Sequence, residues 1–115
     1  MCSLDEYFHS MADHIHLVKI DVEGAELKVL RGMRSLMNQS PYMSLILEFY
    51  PRLLRMADGD YAPIELLSLL RESGFHIWEI RDDGEVVDLK NYGSFEDFIY
   101  SVRKLTNLLV RRSPW

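Results

Sequence analysis

Two apolar rhythms alternate along the chain. Ile15-His16-Leu17-Val18-Lys19-Ile20-Asp21-Val22 is apolar on both sides of its alternation until its end. That is the pattern of a strand buried on both faces, as parallel strands under helices are. From Gly24 to about Gln39 the rhythm becomes helical. Glu26, Val29, Leu30, Met33, Leu36 and Met37 form one stripe, with Lys28, Arg31, Arg34 and Asn38 turned outward. Ser40-Pro41 stops that helix, and Tyr42 to Tyr50 predicts a second buried strand ending at Pro51. Strand, helix, strand with short joints is a βαβ unit, whose crossover is right-handed.

The remaining elements follow from caps and turns. Ser3 with Glu6 has capping-box spacing and predicts a helix from Leu4 to about Met11. Arg52 to Tyr61 reads as a loop with Asp58-Gly59-Asp60 as its turn. Pro63 suits the first turn of a further helix, which Gly74 ends. Phe75 to Arg81 and Glu85 to Leu89 predict two strands joined by an Asp82-Asp83-Gly84 hairpin turn. Ser94 with Asp97 starts a helix to about Lys104, and Thr106 to Arg111 predicts a last strand. The expectation is one α/β domain over residues 1–115, without repeat, low-complexity tract or linker.

Composition narrows the classes of function. The 115 residues are 48% hydrophobic and 27% charged with a net charge of −5, an ordinary globular balance. It argues against a nucleic-acid partner, which requires clustered cations in excess. The basic pairs Arg103-Lys104 and Arg111-Arg112 are expected to be solvated surface. The single cysteine, Cys2, excludes an internal disulfide, and no Cys/His spacing suits structural zinc. No apolar run approaches the ~20 residues of a membrane span, and Met1 to Glu6 lacks the basic and apolar regions of a signal peptide. A cytoplasmic setting with no membrane partner is the expectation.

Chemistry concentrates in Lys19-Ile20-Asp21-Val22-Glu23-Gly24-Ala25-Glu26, where a strand passes into a helix. Lys19 and Asp21 are two residues apart on a strand and share a face. In open α/β sheets the carboxyl ends of the strands form the ligand crevice. Asp21 and Glu23 stand at that end, with Glu48 at the equivalent place on the next strand. Three carboxylates and an ammonium would then converge at one edge. The alternative is structural, a Lys19–Glu48 ion pair with Glu23 favoured by the helix dipole. His14 and His16 lie at the opposite end of their strand and read as surface or core. Gly32, Met33 and Met37 read as helix packing, Asp82-Asp83 as turn chemistry, and Trp78, Tyr92 and Phe98 as core aromatics. A further alternative takes Asp21 as the nucleophile of a phosphohydrolase with Glu48 completing a magnesium site. Against it stand Glu23 in place of a second Asp and the lack of a clear downstream Ser/Thr and Lys pair.

Ser3-Leu4-Asp5-Glu6-Tyr7-Phe8, then Val18-Lys19-Ile20-Asp21-Val22-Glu23-Gly24-Ala25-Glu26, then Val29-Leu30-Arg31-Gly32 resembles the FkbM-type methyltransferases, with Leu47-Glu48 and Leu70 through Gly74-Phe75 in the same order. The resemblance implies the class I (Rossmann-like) methyltransferase fold and the cofactor S-adenosylmethionine. It makes the Lys19 strand the fourth and the Glu48 strand the fifth. Phe75 to Arg81 becomes the sixth, and Thr106 to Arg111 the seventh, antiparallel between the fifth and sixth. The chain would thus be the C-terminal half of that fold.

The cofactor-holding glycine turn of that fold has no counterpart: glycines stand only at 24, 32, 59, 74, 84 and 93, so no G-x-G pair exists. The resemblance therefore implies a partial domain without the N-terminal cofactor-binding strands, acting by O-methyl transfer to a small molecule or sugar. Asp21 is the expected base at the cofactor edge, Lys19 and Glu48 its supports, and Glu23 a ligand for substrate hydroxyls. The alternative is a non-catalytic fragment that another chain completes. Either way the Ile15 to Val22 edge, lacking its neighbouring strand, is expected to dimerise or aggregate.

Overall fold

The computed structural model describes residues 17–40 and 42–112. The expected helix over Leu4 to Met11, the start of the first strand at Ile15, and His14, His16 and Cys2 lie outside these residues.

Five strands form one sheet among the described residues. They are β1 (Leu17–Ile20), β2 (Ser44–Phe49), β3 (His76–Ile80), β4 (Val86–Asp88) and β5 (Thr106–Arg111), in the order β1-β2-β5-β3-β4. β1 and β2 are parallel, while β5 runs antiparallel to both β2 and β3. β5 is therefore inserted between β2 and β3, and β1, β2 and β3 all point the same way. The β3–β4 hairpin turns at Gly84, with the Asp83 carboxylate accepting the Glu85 amide at 2.9 Å.

Helices α1 (Glu26–Gly32), α2 (Arg34–Gln39), α3 (Pro51–Asp58), α4 (Ala62–Glu72) and α5 (Phe95–Ser101) complete the fold. A short 3₁₀ helix, Leu89–Tyr92, precedes α5. Leu45, Leu47 and Phe49 of β2 and Leu108 and Val110 of β5 are fully buried on one sheet face, in one cluster with Leu27, Leu30, Leu54, Leu66, Leu70 and Phe98 of the helices. Phe98 stacks on Phe49 and meets Tyr92 edge-on.

Five expectations need correction. β1 is not buried on both faces: Ile20 is buried and Val18 half-buried, but Leu17 is 61% exposed and Lys19 faces solvent. The helix from Gly24 to Gln39 is two helices, since the Met33 amide turns back to Leu30 (3.1 Å) after the weak helix former Gly32. The bend keeps Met33, Leu36 and Met37 all in the core. Arg52 to Tyr61 is mostly not a loop but α3. Pro51 both ends the strand and begins a helix, because its missing N–H is harmless at the first position. Pro51 and Leu54 bury one side of α3.

At the chain's far end, α5 stops at Ser101 rather than near Lys104, although the Ser94 hydroxyl caps it as expected by accepting the Asp97 amide at 3.1 Å. Arg112 is not solvated surface. Its guanidinium donates to the carbonyls of Ser40 (2.7 Å) and Met37, and lies over the Phe75 ring at 4.3 Å. It satisfies the open carbonyl end of α2 and ties β5 to it.

Candidate active site

The loop from Asp21 to Ala25 leaves β1 at the carboxyl end of the sheet and enters α1. Two consecutive residues take positive φ there, Glu23 at 49° and Gly24 at 102°. Such a turn is stable only if held. Glu26, read from sequence merely as part of a helical stripe, does the holding. It is 1% exposed, and its carboxylate accepts the amides of Gly24 (2.9 Å) and Val22 (3.1 Å). A third bond, from the Ala25 amide to the Val22 carbonyl, closes the turn at 3.2 Å. A buried carboxylate satisfied by two amides is a fixed structural element. The local signal was present in the Glu two residues after a loop glycine.

With the loop fixed, Asp21 and Glu23 are presented outward, both exposed. The parallel pairing of Ile20 with Leu47 sets the next positions, Asp21 and Glu48, beside each other. Glu48 in consequence holds its proton above the ordinary carboxylate value of 4.5. The Asp21 hydrogen bond is the largest cause, followed by burial and by the negative charges of Asp21, Glu26 and Glu23.

Three of the four expected site residues, Asp21, Glu23 and Glu48, thus come together at one sheet edge. Lys19 does not join them, for it makes no ion pair with Glu48 or with any other carboxylate among the described residues. The structural alternative of a Lys19–Glu48 pair fails on the same fact. Among the described residues no group of three His, Cys, Asp or Glu side chains suits a metal ion.

A second polar group on this edge was invisible in the sequence because its members are 13 and 27 residues apart. Glu79, 8% exposed near the carboxyl end of β3, accepts from the hydroxyls of Tyr92 (2.6 Å) and Thr106 (2.9 Å) and from Arg81 Nε (3.3 Å). These residues line a cleft of about 580 Å³ together with Arg103 and Lys104. Asn107, next to Thr106, is the register partner of Glu48, so the cleft adjoins the acidic pair along the edge. On the other side of the pair, a shallow trough of about 410 Å³ follows the outer edge of β1 and is lined by Val18, Lys19, Ile20, Asp21, Val22 and Val29, so that Lys19 borders the same trough as Asp21 without pairing with it.

No helix among the described residues is long and apolar enough to cross a membrane. No curated protein and no solved structure matches the chain. The family model described as the methyltransferase FkbM domain matches residues 1–77, which include the Asp21–Glu26 loop and Glu48.

Proposed function

The chain belongs to the FkbM methyltransferase family, and on that premise we propose that the edge holding Asp21 and Glu48 is the acceptor-activating wall of an S-adenosylmethionine-dependent O-methyltransferase. The observation that carries the reading is the placement of Asp21 and Glu48 side by side at the ends of adjacent parallel strands, where Glu48 holds its proton above the ordinary carboxylate range. β1 and β2 then correspond to the fourth and fifth strands of the class I fold, and β3 and β5 to the sixth and seventh.

The donor set suits one side of a sulfonium-bearing cofactor, since the exposed acids Asp21 and Glu23 stand beside the trough on β1 and outnumber Lys19, the one cation in its lining. When bound, S-adenosylmethionine supplies an electrophilic methyl group. Asp21 is placed to accept the proton that the acceptor hydroxyl gives up in the transfer. Glu48, beside Asp21 at the end of the neighbouring strand, positions it. Glu23 accepts hydrogen bonds from other hydroxyls of the acceptor. A small polar acceptor, such as a sugar, fits the hydroxyl- and cation-lined cleft beside Asn107. Most of the acceleration comes from positioning donor and acceptor in line.

Calorimetric titration of S-adenosylmethionine into the chain tests the reading. Binding with a Kd of about 1 mM or tighter that Asp21→Asn weakens is the expected result, and no binding counts against it. A second reading has a specific observation behind it. No G-x-G turn exists in the sequence, and the outer edge of β1 pairs with no strand among the described residues. On that reading the chain is non-catalytic alone and acquires its cofactor wall by pairing another chain, or a second copy, along Ile15 to Val22. Light scattering that finds a monodisperse monomer at high concentration would remove the self-pairing form.

A further inference from the structure

A further cleft lies away from the acidic edge. It has a volume of about 340 Å³ and is bounded by the end of α4, the start of β3 and the segment from Asp88 to Phe95. Because β1, β2 and β3 are parallel, the His76 end of β3 is on the opposite side of the sheet from Asp21 and Glu48. The volume is within the range of about 300–1,000 Å³ usual for small-molecule sites.

Its lining has two chemical parts. Phe95 and Leu89 supply apolar surface, and Arg71, His76 and Lys90 supply nitrogen donors around it. The Arg71 guanidinium lies over the Phe95 ring, 4.5 Å from its centre. Stacking of this kind fixes the plane of the guanidinium and leaves its N–H groups pointing outward. Neither Arg71 nor Lys90 pairs with a carboxylate among the described residues. Asp88 is the one acid in the lining, and an oxygen of its carboxylate is taken by the Lys90 amide at 2.9 Å. In a chain of net charge −5, this concentration of uncommitted donors beside an aromatic wall runs against the overall balance.

We propose that this cleft binds a small aryl anion, its flat ring against Phe95 and Leu89 and its carboxylate or sulfonate against Arg71 and Lys90. The ring covers what remains exposed of the half-buried Phe95 beside the Arg71 guanidinium, which meets an oxyanion with parallel N–H donors. The site stands apart from the acidic edge, so it does not depend on the methyltransferase reading.

The test is a ¹H–¹⁵N NMR titration of the full chain with 2-naphthalenesulfonate, and with uncharged 2-naphthalenemethanol as the matched ring. The sulfonate is expected to give saturable shifts at Gly74, His76, Lys90, Gly93 and Phe95, with Asp21 and Glu48 unmoved. Lys90→Gln, at an exposed position that leaves the fold intact, should weaken the sulfonate about threefold, the scale of one half-exposed charge contact. The alcohol should be unaffected by the same change. Arg71→Gln should weaken the sulfonate further. Equal affinity for sulfonate and alcohol, shifts confined to other residues, or no saturable shift would each overturn the proposal.

Discussion

Gly24 lies against the backbone of Leu53, so close that a β-carbon on Gly24 would stand 2.9 Å from the Leu53 carbonyl oxygen. The contact joins the site loop to α3, and Gly24 also holds φ at 102°. Gly24→Ala therefore meets two costs, positive φ and overlap with backbone that cannot move alone. Together they should lower stability by about 2–4 kcal/mol. Gly59→Ala isolates the first cost, since φ there is 96° but nothing lies within 4 Å. It should cost only about 1 kcal/mol. Urea unfolding of both variants checks the difference, and equal midpoints would show that the approach to Leu53 is unimportant.

Glu26 should behave as the clasp of the same loop. Glu26→Ala strands the amides of Val22 and Gly24 and should cost about 2–3 kcal/mol. Glu26→Gln retains one acceptor oxygen and turns an NH₂ toward the other amide, so its cost should fall between that of wild type and alanine. Hydrogen exchange gives the local readout. The Gly24 amide should exchange faster in Glu26→Ala, while amides in β2 keep their protection relative to global stability.

How far the sequence foretold this edge depended on whether strand register or side-chain geometry decided the outcome. Asp21 and Glu48 were legible because parallel neighbours bring equivalent strand ends together, whatever the details of packing. Lys19 was misread because a shared strand face does not imply contact, and an exposed ammonium gains little from a surface pair. Helix α3 was hidden because Pro51 signals both a strand end and a helix start, and Asp58-Gly59-Asp60 drew the whole segment into a turn reading. The bend at Met33 was hidden because Met33 itself fits the helical spacing. Arg112 was misread because its partners are backbone carbonyls more than 70 residues away, and carbonyls carry no sequence signature.

The Glu79 network should be cooperative. Tyr92→Phe and Thr106→Val each remove one hydroxyl from the same buried carboxylate, leaving fewer donors to compensate its charge. Each should cost about 1–3 kcal/mol, the range for a hydrogen bond to a charged group. Because both bond to Glu79, the double variant should depart from additivity by about 0.5 kcal/mol or more. Strict additivity in a double-mutant cycle would mean that the two hydroxyls act independently.

The paired carboxyls should also leave a mark on stability against pH. Glu48 has its folded-state pKa raised above the ordinary 4.5, chiefly by the hydrogen bond with Asp21. The folded chain therefore binds this proton more tightly than the unfolded chain does. The sign follows from linkage: the contribution is complete below the unfolded pKa and is lost as pH rises through the folded one. Above that window two ionised carboxyls repel, so the pair is a liability at neutral pH. Glu48→Gln keeps a hydrogen-bonding side chain without the second charge. It should match wild type near pH 4 and exceed it near pH 7, by less than about 1 kcal/mol because the site is only half-buried. Urea midpoints for both chains across that range provide the measurement. Parallel curves would mean that Glu48 does not feel Asp21 in the folded chain, and the base assignment of Asp21 would lose its principal support.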